Sequence, residues 1–428
     1  MRRNIVHPGA GELHYEIRAI VEFANRLQGV GMDIIWENIG DPVAKGEHVP
    51  NWLKQLVSEA AREDASYAYS PTNGLQGTRE YLARKRSVET GRDLAPEDIV
   101  FFNGLGDAIS KVYTWLNPKS RVLGPCPAYP THSSVEAAHG RDLPLTYELN
   151  PDDSWLPDMT DVRNKIMYNP SIAGLLIINP DNPTGMVYPV HILQEFVSLA
   201  QEFNLFLIAD EIYANLVYPD VEFVSIASIC ETVPTIIMRG LSKELPWPGA
   251  RCGWIEVYNK YQDMQFADYI KSIVESKMQE VCATTLPQFI LPLAMEHPEY
   301  QNSISARVSK YQRRSNQLKS ALSGIDGVTF VEPKGAFYAT IVISPGIANR
   351  NIEIPNQKAQ ALLEEYVLAE DDMAADKLFC MRVLASTGLC LVPLTGFSSP
   401  RLGFRMTLLE EDDTKFTNIC NTLISVLS

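Results

Sequence analysis

The chain has 428 residues, of which 46% are hydrophobic and 21% charged, with a formal net charge of -15. That length exceeds what one hydrophobic core usually organises, so a large and a smaller domain are expected. The acidic balance argues against a nucleic-acid partner, which would need a basic face, and no stretch reaches membrane-spanning length.

At the start, Met1-Arg2-Arg3-Asn4 is followed by His7, Pro8, Gly9, Gly11 and Glu12 rather than an apolar run. No secretory signal is expected, and a cytoplasmic location follows. From about residue 95 to 260, short apolar runs alternate with helical stretches, predicting strands at 99–102, 121–123, 174–178, 205–209, 235–238 and 253–257. Continuous apolar strands bracketed by helices indicate a mostly parallel sheet covered on both faces, an α/β architecture. Such sheets bind ligands outside the carboxyl ends of their strands. Beyond residue 300 the character changes. A long polar helix over 307–323 leads into expected strands at 328–331, 335–342, 389–392 and 402–407, with a polar, helix-prone stretch at 349–376. These suggest a smaller α+β domain to which the N-terminal segment, through Ile39-Gly40-Asp41-Pro42, returns. The expected division is 46–300 for the large domain and 1–45 with 301–428 for the small one.

Seven cysteines, an odd number with no close-spaced pair, suggest neither a disulfide framework nor a zinc site. The seven histidines are scattered and are read as structural or surface residues, so no metal is expected.

Chemistry concentrates after the apolar runs. Residues 99–109 pass from a strand through Asn103-Gly104-Leu105-Gly106 into a helix. Glycines there let backbone N–H groups and the helix dipole meet an anion closely, although such a turn is also an ordinary connection. Arg251, after Pro248-Gly249-Ala250, can clamp a phosphate with two donors, or serve as a surface ion pair. Asp210 ends a strand, where a carboxylate can hold a proton on a pyridine nitrogen or cap a helix. Tyr213 and Asn182 can both donate to a phenolate oxygen. Tyr129, in Pro127-Ala128-Tyr129-Pro130, can stack on a ring face or fill a core. Lys243, in Gly240-Leu241-Ser242-Lys243, offers an amine that can join an aldehyde as a Schiff base and later move a proton. An amine, a carboxylate, an amide and a guanidinium so placed are the parts that hold pyridoxal 5'-phosphate.

Taken together, these segments resemble the class I and II aminotransferase family of fold-type I pyridoxal-phosphate enzymes. The matching pieces, in order along nearly the whole chain, are Asn38-Ile39-Gly40-Asp41-Pro42, Tyr69-Ser70-Pro71-Thr72-Asn73-Gly74-Leu75, Asn103-Gly104-Leu105-Gly106, Asn179-Pro180-Asp181-Asn182-Pro183-Thr184-Gly185, Ala209-Asp210-Glu211-Ile212-Tyr213, Ser242-Lys243 with Arg251, and Phe404-Arg405-Met406-Thr407. Their style is nearest to alanine- and aspartate-type members. The resemblance implies a mostly parallel seven-stranded sheet in the large domain, and a homodimer in which Tyr69 reaches the neighbouring subunit's phosphate. It implies that Lys243 carries the Schiff base, that Asp210 meets the ring nitrogen, and that Asn182 and Tyr213 meet the ring oxygen. Arg251, Ser242 and the backbone of Gly104, Leu105 and Gly106 would hold phosphate, and Tyr129 would cover the ring. Arg405 would grip the substrate α-carboxylate with Asn182 and the Gly40 backbone, and Arg401, read as lying on the same strand face, competes for that role.

Two departures stand out. Pro246 and Trp247 follow the lysine where small or aliphatic residues are usual, which puts the loop's shape in question. The stretch 276–282 has no arginine for a second substrate carboxylate, only Lys277. The expected reaction moves an amino group from an L-amino acid to a 2-oxo acid. A β-lyase of the carbon–sulfur type would share every cofactor residue. A non-catalytic sensor is the other alternative, although the enzyme-like pattern consumes the whole chain.

Overall fold

The computed structural model describes residues 5–13, 16–370 and 372–428; residues 1–4, 14, 15 and 371, which belong to the expected small domain, lie outside them. Apolar strands at 99–258 assemble one eight-stranded sheet in the order Ile99–Phe102, Gly253–Tyr258, Thr235–Gly240, Phe206–Asp210, Ile172–Ile178, Arg121–Cys126, Thr146–Asn150 and Leu156–Pro157. The five strands from Thr235–Gly240 to Thr146–Asn150 run parallel. Gly253–Tyr258 is antiparallel to both its neighbours. Every residue of Ile99–Phe102, Phe206–Asp210, Thr235–Gly240 and Gly253–Tyr258 is buried, as helices on both faces require. Successive residues feed opposite cores: Phe101, Ile177 and Ile237 pack on one face, Phe102, Ile178 and Ile236 on the other.

The sheet has one strand more than the seven expected. The extra pairing is at the far edge, where two-residue Leu156–Pro157 lies antiparallel against Thr146–Asn150. Thr146–Asn150 is buried only at alternate positions, so it carries no continuous apolar run to announce it.

A second, antiparallel sheet is ordered Val328–Phe330, Tyr338–Ile343, Gly403–Thr407 and Val392–Pro393, with its own core around Phe379, Phe404 and Met406. In a separate two-stranded sheet, Ile35–Trp36 of the N-terminal segment pairs in parallel with Leu389–Cys390. The polar helix extends further than its composition suggested, over Tyr300–Leu322. The strand expected from residue 335 begins only at Tyr338. Ala336 has a left-handed φ of 56°, and its N–H bonds to the Leu216 carbonyl at 2.7 Å. That turn delivers Phe337 and Tyr338 to the carboxyl edge of the large sheet.

Candidate active site

The site is built where strands of the large sheet end. After Ile99–Phe102, Gly104 takes φ 83° and ψ 166° and opens the helix Leu105–Thr114 with no side-chain cap. The first N–H groups of a helix have no partner within it, so this corner offers an anion a ready cradle. Arg251 closes it: Nη2 donates to the Asn103 carbonyl at 3.2 Å and Nη1 to the Pro248 carbonyl at 3.1 Å. A methyl group at Gly104 would sit 2.3 Å from Arg251 Nη2, so only glycine lets the guanidinium lie this close. Asn103 is fixed by Thr284, whose N–H and hydroxyl donate to Oδ1 at 3.0 and 3.1 Å. Lys277 turns inward to the same corner, fully buried, with Nζ 2.6 Å from Glu280 and 3.3 Å from Asp107. Its charge is committed within its own chain, which answers whether it stands free for a second substrate carboxylate.

Along the next edge, Asp210 is the last residue of its strand and is buried. Its Oδ1 accepts the Ile212 N–H at 3.0 Å, and Oδ2 lies 3.1 Å from His132 Nε2. Tyr213 sits in a turn after the strand, and its hydroxyl donates to Tyr338 Oη at 3.1 Å. Burial above all, and then the Tyr338 hydroxyl, push the Tyr213 phenol well above its usual range, so it keeps its proton. Tyr129, at the N-cap of the helix Pro130–Gly140, is half-buried and meets the His132 ring edge-on at 6.5 Å.

Lys243 lies in a one-turn helix, Leu241–Glu244, directly after Thr235–Gly240, and Ser242 precedes it on the same turn. Its Nζ donates to the Gly40 carbonyl at 2.7 Å and stands 5.6 Å from the Phe337 ring centre. The unusual loop after it is now legible in shape. Pro246 is buried, Trp247 packs against the main core, and the Trp247 N–H bonds to the Leu245 carbonyl at 2.7 Å. From behind, Arg307 Nη1 donates to the carbonyls of Lys243 and Glu244 at 3.0 and 2.6 Å, while Arg307 itself pairs with Glu47.

Arg405 completes the group. It is 2% exposed, donating from Nη2 to the Asn38 carbonyl at 2.6 Å and from Nη1 to Asn182 Oδ1 at 3.2 Å, with Nε left without a partner among the described residues. Its guanidinium lies 4.5 Å from the Tyr338 ring centre and 5.0 Å from that of Phe397. Thr407, two residues on, ties this strand to Glu37 through its hydroxyl at 2.6 Å, and Glu37 also accepts from Lys45 at 2.7 Å. Arg401 is placed otherwise than expected. It precedes the strand Gly403–Thr407 instead of sharing its face, and it bonds to Glu148 at 2.7 Å at the sheet edge. Tyr69 is 83% exposed at the surface of this chain.

These residues fit pyridoxal phosphate: an uncapped helix start with a guanidinium, a buried carboxylate, two hydrogen-bonding groups, an amine and an unsaturated buried arginine converge. Sequence reasoning missed His132, Tyr338 and Arg307. His132 follows Tyr129 by three residues on one helix, a spacing that places the two rings together. Tyr338 and Arg307 carried no local signal, because their roles depend on the second sheet and the long helix meeting the first sheet.

Comparison with known proteins bears on the same arrangement. The profile of aminotransferase class I and II matches residues 33–413. An uncharacterized aminotransferase of Methanocaldococcus jannaschii is 48% identical over 425 residues, 99% of this chain and 98% of that protein. The glutamate-pyruvate aminotransferase AlaA of Escherichia coli is 29% identical over 360 residues, 83% of this chain and 86% of its own. Among solved structures, alanine aminotransferase from Pyrococcus furiosus superposes with a TM-score of 0.85 at 25% identity, covering 100% of this chain and 99% of that one. With its sheets, its lysine after a parallel strand and its whole length so matched, this chain belongs to the class I and II aminotransferases and is a pyridoxal-phosphate-dependent enzyme.

Proposed function

We propose that Lys243 is the residue through which this aminotransferase carries out its reaction, with Arg405 holding the substrate α-carboxylate. One observation carries the reading. A single short segment receives both groups, the Asn38 carbonyl taking Arg405 Nη2 and the Gly40 carbonyl taking Lys243 Nζ. A carboxylate on Arg405 therefore sets the adjoining α-carbon beside the lysine amine.

When bound, pyridoxal phosphate supplies the electron-withdrawing ring that drains charge from the substrate α-carbon. The chain's own residues do the rest. Arg251, Ser242 and the N–H groups of Leu105 and Gly106, freed by Gly104, hold the phosphate. Asp210, steadied by His132, keeps the ring nitrogen protonated. Tyr213 and Asn182 donate to the ring oxygen, and Tyr129 covers the ring. Lys243 moves the proton at the α-carbon, with Arg307 fixing its main chain. Tyr69 of the partner subunit would reach the phosphate in a homodimer, which accounts for its exposure on the isolated chain. The same reading keeps residues 46–300 as the cofactor-binding unit and 1–45 with 301–428 as the smaller one, working in the cytoplasm.

For substrates, we favour alanine and glutamate as amino donors with pyruvate and 2-oxoglutarate as acceptors. The relatives named for glutamate, pyruvate and alanine support this, and because Lys277 is engaged by Asp107 and Glu280, the side-chain carboxylate of glutamate and 2-oxoglutarate falls to a group other than Lys277. A panel of amino donors against the two acceptors tests it, alongside Lys243→Ala, expected to lose at least ~100-fold in turnover. Turnover without any 2-oxo acid, releasing ammonia and a thiol, would sink the reading.

A further inference from the structure

Tyr338 touches three separate parts of the site without belonging to any of them. Its hydroxyl meets the Tyr213 hydroxyl at 3.1 Å, its ring lies under the Arg405 guanidinium, and a methyl group on Gly40 would come within 2.2 Å of its oxygen. It is 2% exposed, and the two phenol rings meet edge-on at 83° with centres 5.8 Å apart. The turn before it is pinned to the loops that carry the site. The N–H groups of Lys334 and Gly335 bond to the Gly185 carbonyl at 2.8 and 2.9 Å, and that of Ala336 bonds to Leu216. Gly185 closes the loop of Asn182, and Leu216 follows Tyr213. The main chain that leads into Tyr338 is thus fixed to both of those loops.

We propose that Tyr338 is a positioning residue that strengthens Tyr213 as a donor, and so sets how tightly the Lys243 nitrogen holds its proton in the loaded enzyme. This rests on Tyr213 donating to the ring oxygen. A phenol has one proton to give and two lone pairs to receive with. If Tyr213 turns its proton toward an anionic oxygen, its own oxygen is left as an acceptor, and Tyr338 is the hydroxyl within reach to donate to it. Hydrogen bonds in a chain polarise one another, so the second donor makes the first a better one. Stabilising the anionic oxygen lowers the proton affinity of the nitrogen conjugated with it. The charged and titratable groups facing the pair are Asp210 and Tyr129 on the large-sheet side, Arg405 over the Tyr338 ring, and Lys243 against the neighbouring Phe337. Phenylalanine at 338 leaves each of them in place and removes only the hydroxyl.

The test is a pH titration of the visible absorption band of the cofactor-loaded protein. Tyr338→Phe is expected to raise the midpoint by about 0.5 to 1 pH unit, the scale of one hydrogen bond. Tyr213→Phe should raise it too, and adding Tyr338→Phe to that background should move it no further. The Michaelis constant for the amino donor should change little, since the ring beneath Arg405 remains. An unchanged or lowered midpoint in Tyr338→Phe, or an equal rise in the Tyr213→Phe background, would overturn the proposal. A wild-type protein that develops no visible band with pyridoxal phosphate would overturn the lysine assignment beneath it, so the two failures are told apart.

Discussion

Replacing Arg405 by lysine keeps the charge and removes the fork, which makes it a measure of how the α-carboxylate is held. In the structure Nη2 and Nη1 are occupied by the Asn38 carbonyl and Asn182, while the planar group lies between the rings of Tyr338 and Phe397. An ammonium can reach a carboxylate, but it cannot hold these two acceptors and stack between two rings at once. The loss is one charge-assisted hydrogen bond, about 1.5–3 kcal/mol, plus roughly 0.5–1 kcal/mol of stacking. About 2–4 kcal/mol corresponds to a fall of roughly 30- to 1000-fold in kcat/KM. Every amino acid and 2-oxo acid substrate carries an α-carboxylate, so all of them should suffer alike. Steady-state kinetics on each substrate, with the cofactor's spectrum as a control on the integrity of the site, reads this directly. A loss below about 3-fold, or one confined to the substrate with a second carboxylate, would show that Arg405 does something else.

Other substitutions probe the remaining corners. Gly104→Ala forces a side chain to φ 83° and against Arg251, at roughly 1–3 kcal/mol, so cofactor affinity by fluorescence titration should fall about 10-fold or more; unchanged affinity would remove the cradle argument. His132→Leu strips Asp210 of one buried partner, and kcat should drop about 10-fold at little-changed KM; equal kcat would make the histidine a packing residue only. Burial pushes Asp181 up from 3.8 to about 7. Because the folded state binds that proton more tightly, its contribution to stability is complete below about pH 4 and is lost as pH rises through 7. Asp181→Asn should flatten that slope and gain up to roughly 4 kcal/mol at pH 8 relative to the parent. Urea unfolding at pH 5 and pH 8 would show it, and parallel slopes in the two proteins would refute it.

Much of the large sheet was legible because its strands are apolar on both faces, and a run such as Leu176-Ile177-Ile178 needs no context to be recognised. Asp210 at the end of one such run and Lys243 just past another stand where position alone draws attention to a polar group. What escaped depended on distance in the chain. Thr146–Asn150 forms a strand only because Arg121–Cys126 offers it an edge. Arg401 and Arg405 differ by four residues, yet one meets Glu148 and the other Asn182, a choice made by where the strand Gly403–Thr407 begins. His132 looked like any helical histidine, and its partner Asp210 lies at the end of a strand far along the chain. Tyr338 read as a strand residue, which it is, and its hydroxyl acquires meaning only from a turn pinned to Gly185 and Leu216.

The strand Gly253–Tyr258 lies between Thr235–Gly240 and Ile99–Phe102, and among the described residues the latter has no other neighbour in the sheet, with Ile99 opposite Glu256. During synthesis, an apolar ribbon leaves the ribosome early and stays without its hydrogen-bonding mate until the chain has grown past Tyr258. Pairings so remote along the chain are slow to close, and unpaired apolar edges invite association between nascent molecules. The architecture therefore ties the yield of folded protein to what shelters that ribbon in the interval.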